Sequence, residues 1–143
     1  MSKKVIGLAL CSLLLALCAS VEAQQTGKVH RIGLLISASS TATAPYIEAF
    51  RQRMRELGYV EGKNYRLEIR GGGAEPERLA RLVDEMVQLK VDIIVAGGNP
   101  AVRAAMKATS AIPIVMRTST DPVEAGYIPN LSHPGGNITG GLL

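Results

Sequence analysis

Two short apolar runs, separated by a segment of helical spacing, constrain the fold of this chain more than any other feature. The first run, DIIVA, spans residues 92–96, and the second, IPIVM, spans residues 112–116. Short runs in which nearly every residue is apolar are typical of strands buried on both faces of a parallel sheet. Parallel strands need a crossover, so the residues between the runs are predicted to form a turn and a helix.

The segment between the two runs has the pattern of such a turn and helix. Gly97 and Gly98 end the first run, Asn99 can cap a helix, and Pro100 suits the first helical position. The whole segment therefore predicts a right-handed βαβ unit. Because open α/β sheets bind ligands beyond the carboxyl ends of their strands, we expect residues 97–99 and 118–121 to line any site.

Strand and helix patterns alternate along the rest of the chain as well. Further strands are predicted at residues 30–37, 65–70 and 138–143, and further helices at residues 45–57 and 76–90. Residues 38–43 read as a loop of small residues. Residues 65–70 alternate apolar and charged side chains, which is typical of an outer strand. This order predicts an α/β fold, a doubly wound three-layer α/β/α arrangement with a mostly parallel sheet.

The first 23 residues have the pattern of a signal peptide. Lys3 and Lys4 precede an apolar stretch at residues 5–17, which is too short to span a membrane, and Val21-Glu22-Ala23 is a small-x-small cleavage site. Residues 24–29 form a polar lead-in to one domain at residues 30–143, and the expected location is the periplasm. In an alternative, a lipobox-like LALC anchors the chain through acylated Cys18 at the outer face of a membrane.

Composition argues against several classes of function. The net charge is only +4, basic residues are scattered among acids, and aromatic residues are few, so no nucleic-acid partner is expected. Both cysteines, Cys11 and Cys18, fall in the predicted leader, which leaves the mature chain without disulfides or thiolate metal sites. The sequence has no G-x-S-x-G nucleophile motif, no H-E-x-x-H zinc-binding motif, and neither the GK[ST] nor the GxGxxG nucleotide-binding motif. No catalytic residue, metal or cofactor is therefore expected.

The candidate ligand contacts are small or polar residues that follow three predicted strands. Asp121 directly precedes Pro122 and is either a turn former or a carboxylate for a ligand's ammonium or hydroxyl group. Asn99 has a similar dual interpretation, as a helix cap and as a ligand contact. Asp92, which opens a strand, is interpreted as structural. The full candidate set is Ser37, Ser39, Ser40, Gly97, Gly98, Asn99, Thr118, Thr120 and Asp121.

Several segments, taken in order, resemble a known family. They are FRQ at 50–52, RELGYVEGKN at 55–64, VDIIVAGG at 91–98, IPIV at 112–115, DPV at 121–123 and HPGGNITG at 133–140. Together they are similar to ABC transporter substrate-binding proteins of the type I periplasmic-binding fold, a group whose better-known members take up aromatic amino acids. The resemblance implies two Rossmann-like lobes joined by a hinge, a small solute clamped between them, and an ABC transporter permease as partner.

The chain departs from that family in three respects. Arg53 stands where the first helix usually has a small glycine, and Gly71-Gly72-Gly73 replaces a more aromatic and acidic stretch. The third departure is the absence of a second lobe. We therefore expect the N-terminal lobe only, as a fragment, a prematurely terminated reading frame or a single-lobe protein.

The predicted function is non-enzymatic capture of a small solute, such as an amino acid, by an exported component of an ABC-type importer. A small flavodoxin-like enzyme and a non-functional fragment are the alternatives. No acid–base pair or cofactor loop favours the enzyme. A transcription regulator with the same two-lobed sensor fold is disfavoured by the leader and by the lack of a helix-turn-helix before His30.

We predict that the exported protein is processed after Ala23, because the Val-x-Ala pattern suits signal peptidase. Intact-mass measurement should then place the mature N-terminus at Gln24. A diacylglyceryl mass on Cys18 would contradict this prediction and support the lipid-anchored alternative.

Overall fold

A parallel sheet of five strands organises residues 27–38 and 40–142, which are the residues that the structure, a computed structural model, describes. The strands are β1 (His30–Ile36), β2 (Tyr65–Gly71), β3 (Ile93–Gly97), β4 (Ile114–Thr118) and β5 (Ile138–Leu142). The helices are α1 (Ser40–Glu56), α2 (Pro76–Gln88) and α3 (Asn99–Ala108). The predicted leader, with Cys18, and the candidate Ser39 lie outside the described residues.

The strand order is β2-β1-β3-β4-β5, and every neighbouring pair is parallel. This confirms the predicted α/β fold, and it places β2 at the sheet edge that its alternating charges predicted. The order reverses direction between β1 and β3. In open parallel sheets the loops diverge at such a switch point and leave a crevice beyond the carboxyl ends of the two strands.

The two faces of the sheet are covered to different extents. On one face α2 and α3 pack over strand residues such as Leu35, Ile94 and Ile114, each of which has 0% exposure. Side chains alternate along a strand, so Leu34 and Val95 point to the other face. Helix α1 lies over that face without packing closely on it, and both of these residues are only half-buried. The layers are therefore α/β/α, with an open region beside α1.

Helix α1 begins five residues earlier than the sequence predicted, so the predicted loop at residues 38–43 is wrong for most of its length. Proline is favoured at the first helical position, and this preference placed the predicted start at Pro45. In the structure Pro45 lies inside the helix. There it removes a single N–H near the amino end, while alanines before it favour helix.

Asp92 joins the chain before β1 to the start of β3, as its structural interpretation predicted. Its carboxylate accepts hydrogen bonds from the Lys28 ammonium and from the Arg31 backbone N–H, the latter at 2.9 Å. Its own N–H donates to the Arg31 carbonyl at 2.8 Å. The Lys28 hydrogen bond, followed by that from Arg31, holds the pKa of Asp92 below its usual value.

Among the described residues, no helix combines the length and the apolar character needed to cross a membrane.

We expect Asp92→Asn to lower the free energy of unfolding at pH 7 by about 0.5–1 kcal/mol, because it removes the charge from these hydrogen bonds. A lowered pKa in the folded state stabilises the protein above the ordinary carboxyl pKa, and this contribution disappears as pH falls through the lowered value. Urea unfolding at pH 7 and pH 3 should therefore show a difference between wild type and variant that shrinks in acid. An equal difference at both pH values would contradict this origin.

We also expect Gly140→Ala to destabilise the sheet. Gly140 has φ +134°, and a Cβ there would lie 2.1 Å from the backbone oxygen of Met116 on β4. The expected cost is about 1–3 kcal/mol, as for other strained backbone positions. Gly141→Ala is the matched control, because a Cβ at Gly141 would have no neighbour within 4 Å. Thermal unfolding that affects both variants equally would contradict the steric explanation.

Candidate functional site

The ends of β1, β3 and β4 are tied together where the sheet changes direction. The N–H and the Oγ of Ser37 both donate to the Gly97 carbonyl oxygen, each at 3.0 Å. The Gly98 N–H donates to the Arg117 carbonyl oxygen at 2.9 Å. These bonds bring the candidates Ser37, Gly97 and Gly98 together where the parallel strands end. We call this side of the sheet, formed by the carboxyl ends of the strands, the carboxyl edge.

Position 98 favours glycine for two reasons, its positive φ and the nearness of the Ser37 side chain. Its φ is +93°, and a Cβ there would lie 2.1 Å from the Ser37 Oγ. A side chain would therefore displace the serine hydroxyl from the Gly97 carbonyl. The hydrogen bond from the Ser37 hydroxyl to the Gly97 carbonyl depends on this glycine.

A second cluster joins the candidates Asn99, Thr118 and Thr120. The Thr118 hydroxyl donates to the Asn99 Oδ1, and the Asn99 Nδ2 donates to the Thr120 Oγ1 at 2.6 Å. The Thr120 N–H in turn donates to the Thr118 Oγ1 at 3.1 Å. Thr118 lies inside β4 with 0% exposure, whereas Thr120 is exposed. The cluster therefore fixes the orientation of the Asn99 amide.

The predicted capping role of Asn99 is wrong. The N-cap of α3 is Gly98, and no side chain caps the helix. Asn99 is already the first helical residue, because the positive φ of Gly98 turns the chain into the helix one residue earlier. Its amide is thereby free to bond across to β4 and the loop that follows.

The two carboxylate oxygens of Asp121 differ in their contacts, because one stabilises a turn and the other is unpaired among the described residues. Its Oδ1 accepts from the N–H groups of Val123 at 2.8 Å and Glu124 at 3.2 Å. This geometry matches the turn former that the sequence allowed. Among the described residues, Oδ2 has no hydrogen-bond partner, and the side chain is half-buried. One carboxylate oxygen is therefore available at the carboxyl edge.

The two other serine candidates are less defined. Ser40 is the first residue of α1, so its backbone lies at the carboxyl edge, but its side chain is outside the described part of the structure. Ser39, its neighbour, is not among the described residues.

A groove of about 580 Å³ lies between α1 and the open region of the sheet. We call it the α1 groove. It is lined by apolar residues, including Leu34, Ile47, Phe50 and Val95, and by polar residues that include Ser37, Tyr46, Arg117 and Ser119. Gly97 and Gly98 also border it, so three candidates meet there. Its volume and its mixture of apolar wall and few polar groups are typical of small-molecule sites.

A second groove, of about 710 Å³, lies between α2 and α3 on the other face of the sheet. It contains Asn99 but no other candidate. Acidic residues of α2, Glu77 and Asp84, border it on one side, and Arg103 and Lys107 of α3 border it on the other. It is larger, but the α1 groove is the stronger candidate for a solute site because the loops after β1, β3 and β4 all reach it.

The sequence analysis missed Arg117 and Tyr46. The guanidinium carbon of Arg117 lies 4.2 Å from the centroid of the Tyr46 ring. The predicted strand ended at Met116, but β4 continues to Thr118 and carries Arg117 into the groove. The available signal was a lone arginine at the end of an otherwise apolar strand.

The chemistry of this edge suits recognition of polar groups. It offers hydroxyls, one amide, one carboxylate and one guanidinium. Within residues 27–38 and 40–142, no three His, Cys, Asp or Glu side chains lie together in a way that could hold a metal ion. His133 is exposed in a loop. His30 is the first residue of β1, so it lies at the amino ends of the strands, away from the candidate residues.

Comparison with known proteins gives the family. The sequence profile described as ABC transporter substrate binding protein matches residues 31–141. A tyrosine-binding protein of Clostridioides difficile (strain R20291) is 34% identical over 93 residues, which is 65% of this chain and 27% of that protein. The residues that form the sheet and its helices, from His30 to Leu142, are therefore nearly the same residues that match the family, 31–141.

Solved structures share the fold. A ligand-free, open substrate binding protein with adhesive properties from Clostridium difficile has a TM-score of 0.71 and 27% identity over 78% of this chain and 38% of that one. An ABC domain in complex with L-Trp from Streptococcus pneumonia has a TM-score of 0.73 and 24% identity over 80% and 39% of the two chains, a likeness of fold alone. The chain thus spans 27% to 39% of the length of these relatives.

The family match covers most of the domain predicted from residue 30 onward, and it confirms the resemblance read from the sequence. Members of this family bind solutes and are not catalysts, which agrees with the predicted absence of enzymatic activity. The chain belongs to the ABC transporter substrate binding protein family.

Proposed function

We propose that this chain is the solute-capturing lobe of an exported component of an ABC-type importer, and that it binds an amino acid or a similar small solute without chemical change. The observation that carries the proposal is the family match over residues 31–141. The geometry supports it, because the loops that open into the α1 groove come from three parallel strands that meet at the switch point.

The amino-acid class is supported by one relative. The relative that shares sequence as well as fold is a tyrosine-binding protein. L-Trp, present in one structure of the same fold, serves below only as an aromatic amino-acid probe. An amino acid carries an ammonium group and a carboxylate at a fixed separation. The free Oδ2 of Asp121 can accept from the ammonium, while exposed Thr120 and half-buried Ser37 offer hydroxyl groups. Thr118, being fully buried, would hold Asn99 in position rather than contact the solute.

We propose a two-lobed arrangement around the solute. Because this chain matches less than half of its relatives' length, the remainder of such a protein would supply the facing lobe. Closure of two lobes excludes water and so strengthens each polar contact to the solute. A transporter permease would receive the solute when the two lobes open again.

The export route follows from the first 23 residues, which lie outside the described structure. A cleaved leader would place the mature chain in the periplasm. Acylation of Cys18 would instead anchor it at the outer face of a membrane. Either route presents the carboxyl edge to solutes outside the cytoplasm.

We expect L-tryptophan, titrated to millimolar concentration, to shift the backbone amide resonances of Gly97, Gly98, Asn99, Thr120 and Asp121 in ¹⁵N-labelled protein. A single lobe leaves its polar groups hydrated, so binding should be weak but measurable by NMR. Shifts confined to other parts of the chain, or no shifts at all, would contradict the proposed site.

We expect Asp121→Asn to weaken the binding of L-tryptophan by about 1–3 kcal/mol, because the ammonium loses a charged acceptor. The asparagine keeps an oxygen for the turn that Oδ1 caps, so the fold is preserved. Asp84→Asn, which removes an exposed carboxylate of α2, is the control and should leave the dissociation constant unchanged. Equal affinities of wild type and Asp121→Asn would refute the assignment of this carboxylate.

A further inference from the structure

The guanidinium of Arg117 is held by an aromatic ring. Its carbon lies 4.2 Å from the centroid of Tyr46, a distance at which the cation stacks over the ring face. Stacking engages the flat face of the guanidinium. The N–H donors lie in the plane of the group, so they remain directed outward around its edge.

Those N–H donors have no acceptor among the described residues. The other half-buried arginines of the described residues do find one: Arg51 pairs with Glu48 at 2.7 Å, and Arg31 donates to the Leu89 carbonyl oxygen at 3.0 Å. Arg70 likewise lies 3.2 Å from Glu85. Arg117 differs because no carboxylate lines the α1 groove in the described part of the chain.

The surroundings of Arg117 favour an anion that carries an apolar group. The side chain is half-buried, and the groove beside it is walled by Leu34, Val95, Ile47 and Phe50. A charge pair is stronger beside such a wall than in open water, because the local dielectric constant is lower. The planar fork of an arginine matches a carboxylate through two parallel hydrogen bonds.

We propose that Arg117, positioned by Tyr46, binds the carboxylate of the solute, and that the α1 groove takes the aromatic or branched apolar group attached to it. This inference rests on the proposed function and names its ligand class, a carboxylic acid with an apolar body. A phosphate is a poorer match, since the groove offers a single cation and a mostly apolar wall.

The test compares two probes that differ in charge but hardly in shape, benzoate and benzamide. Each is titrated at constant ionic strength into ¹⁵N-labelled protein, and the Nε–Hε resonance of Arg117 is followed by NMR. We expect benzoate to shift this resonance and to bind at least tenfold more tightly than benzamide. Equal binding of the two probes would overturn the proposal, and this comparison needs no variant.

Variants then assign the effect to the stacked pair. Arg117→Gln should weaken benzoate binding at least tenfold, while Arg78→Gln, a change at an exposed arginine of α2, should have no effect. Tyr46→Phe keeps the ring and should keep the affinity. Tyr46→Ala should lower the affinity, because the guanidinium loses its support.

The outcomes separate this proposal from the one on which it rests. If L-tryptophan shifts the amides at residues 97–99 but Arg117→Gln binds it and benzoate as wild type does, solute capture stands and the role of Arg117 is refuted. If neither L-tryptophan nor benzoate shifts any resonance at the carboxyl edge, both proposals are wrong.

Discussion

The carbonyl oxygen of Gly97 accepts two hydrogen bonds from one residue, the N–H and the hydroxyl of Ser37. This pair of bonds holds the end of β1 against the end of β3, at the place where the winding of the sheet reverses. The neighbouring bond from Gly98 to the Arg117 carbonyl extends the same ladder to β4. Every loop of the candidate site begins within a few residues of these three bonds.

The unequal cover of the two sheet faces follows from the distribution of apolar side chains. Helices α2 and α3 bury Leu79, Val83, Met86 and Val102 completely against the sheet. Helix α1 buries less, and Tyr46 on its surface is 57% exposed. The well-packed face therefore provides most of the hydrophobic stabilisation. The α1 face retains a groove with an apolar wall, which is a requirement for binding a small molecule and a cost in stability.

Most of the fold could be predicted from the sequence, because buried parallel strands and the helices between them have strong local patterns. The edge position of β2 followed from its alternating charges. The start of α1 could not be predicted, since a proline usually marks the first turn and here lies inside the helix. The role of Asn99 was also missed, because the partner that competes with helix capping is Thr118, 19 residues away.

The place of the candidate residues at the carboxyl ends of the strands was predictable, but their side-chain contacts were not. Strand ends located the loops at Ser37, Gly97 and Asp121 without any tertiary information. The pairing of Arg117 with Tyr46 joins the end of strand β4 to the first half of helix α1. No rule of sequence spacing connects these two residues. Contacts of this kind depend on which face of a strand points toward which helix, and this is decided by the packing of the whole domain.

The glycine at position 98 divides the residues of this edge into two groups with different freedom to change. Ser37, Gly97 and Gly98 join the ends of β1 and β3, and a Cβ at Gly98 would displace the Ser37 hydroxyl from the Gly97 carbonyl. Arg117 and Tyr46 project their side chains into the groove and contact each other. Under the binding mode proposed above, exchanges at this pair would change what the groove accepts while the strand ends keep their geometry. A lobe of that kind would change its ligand preference through few substitutions, while the hydrogen bonds that join β1, β3 and β4 stay in place.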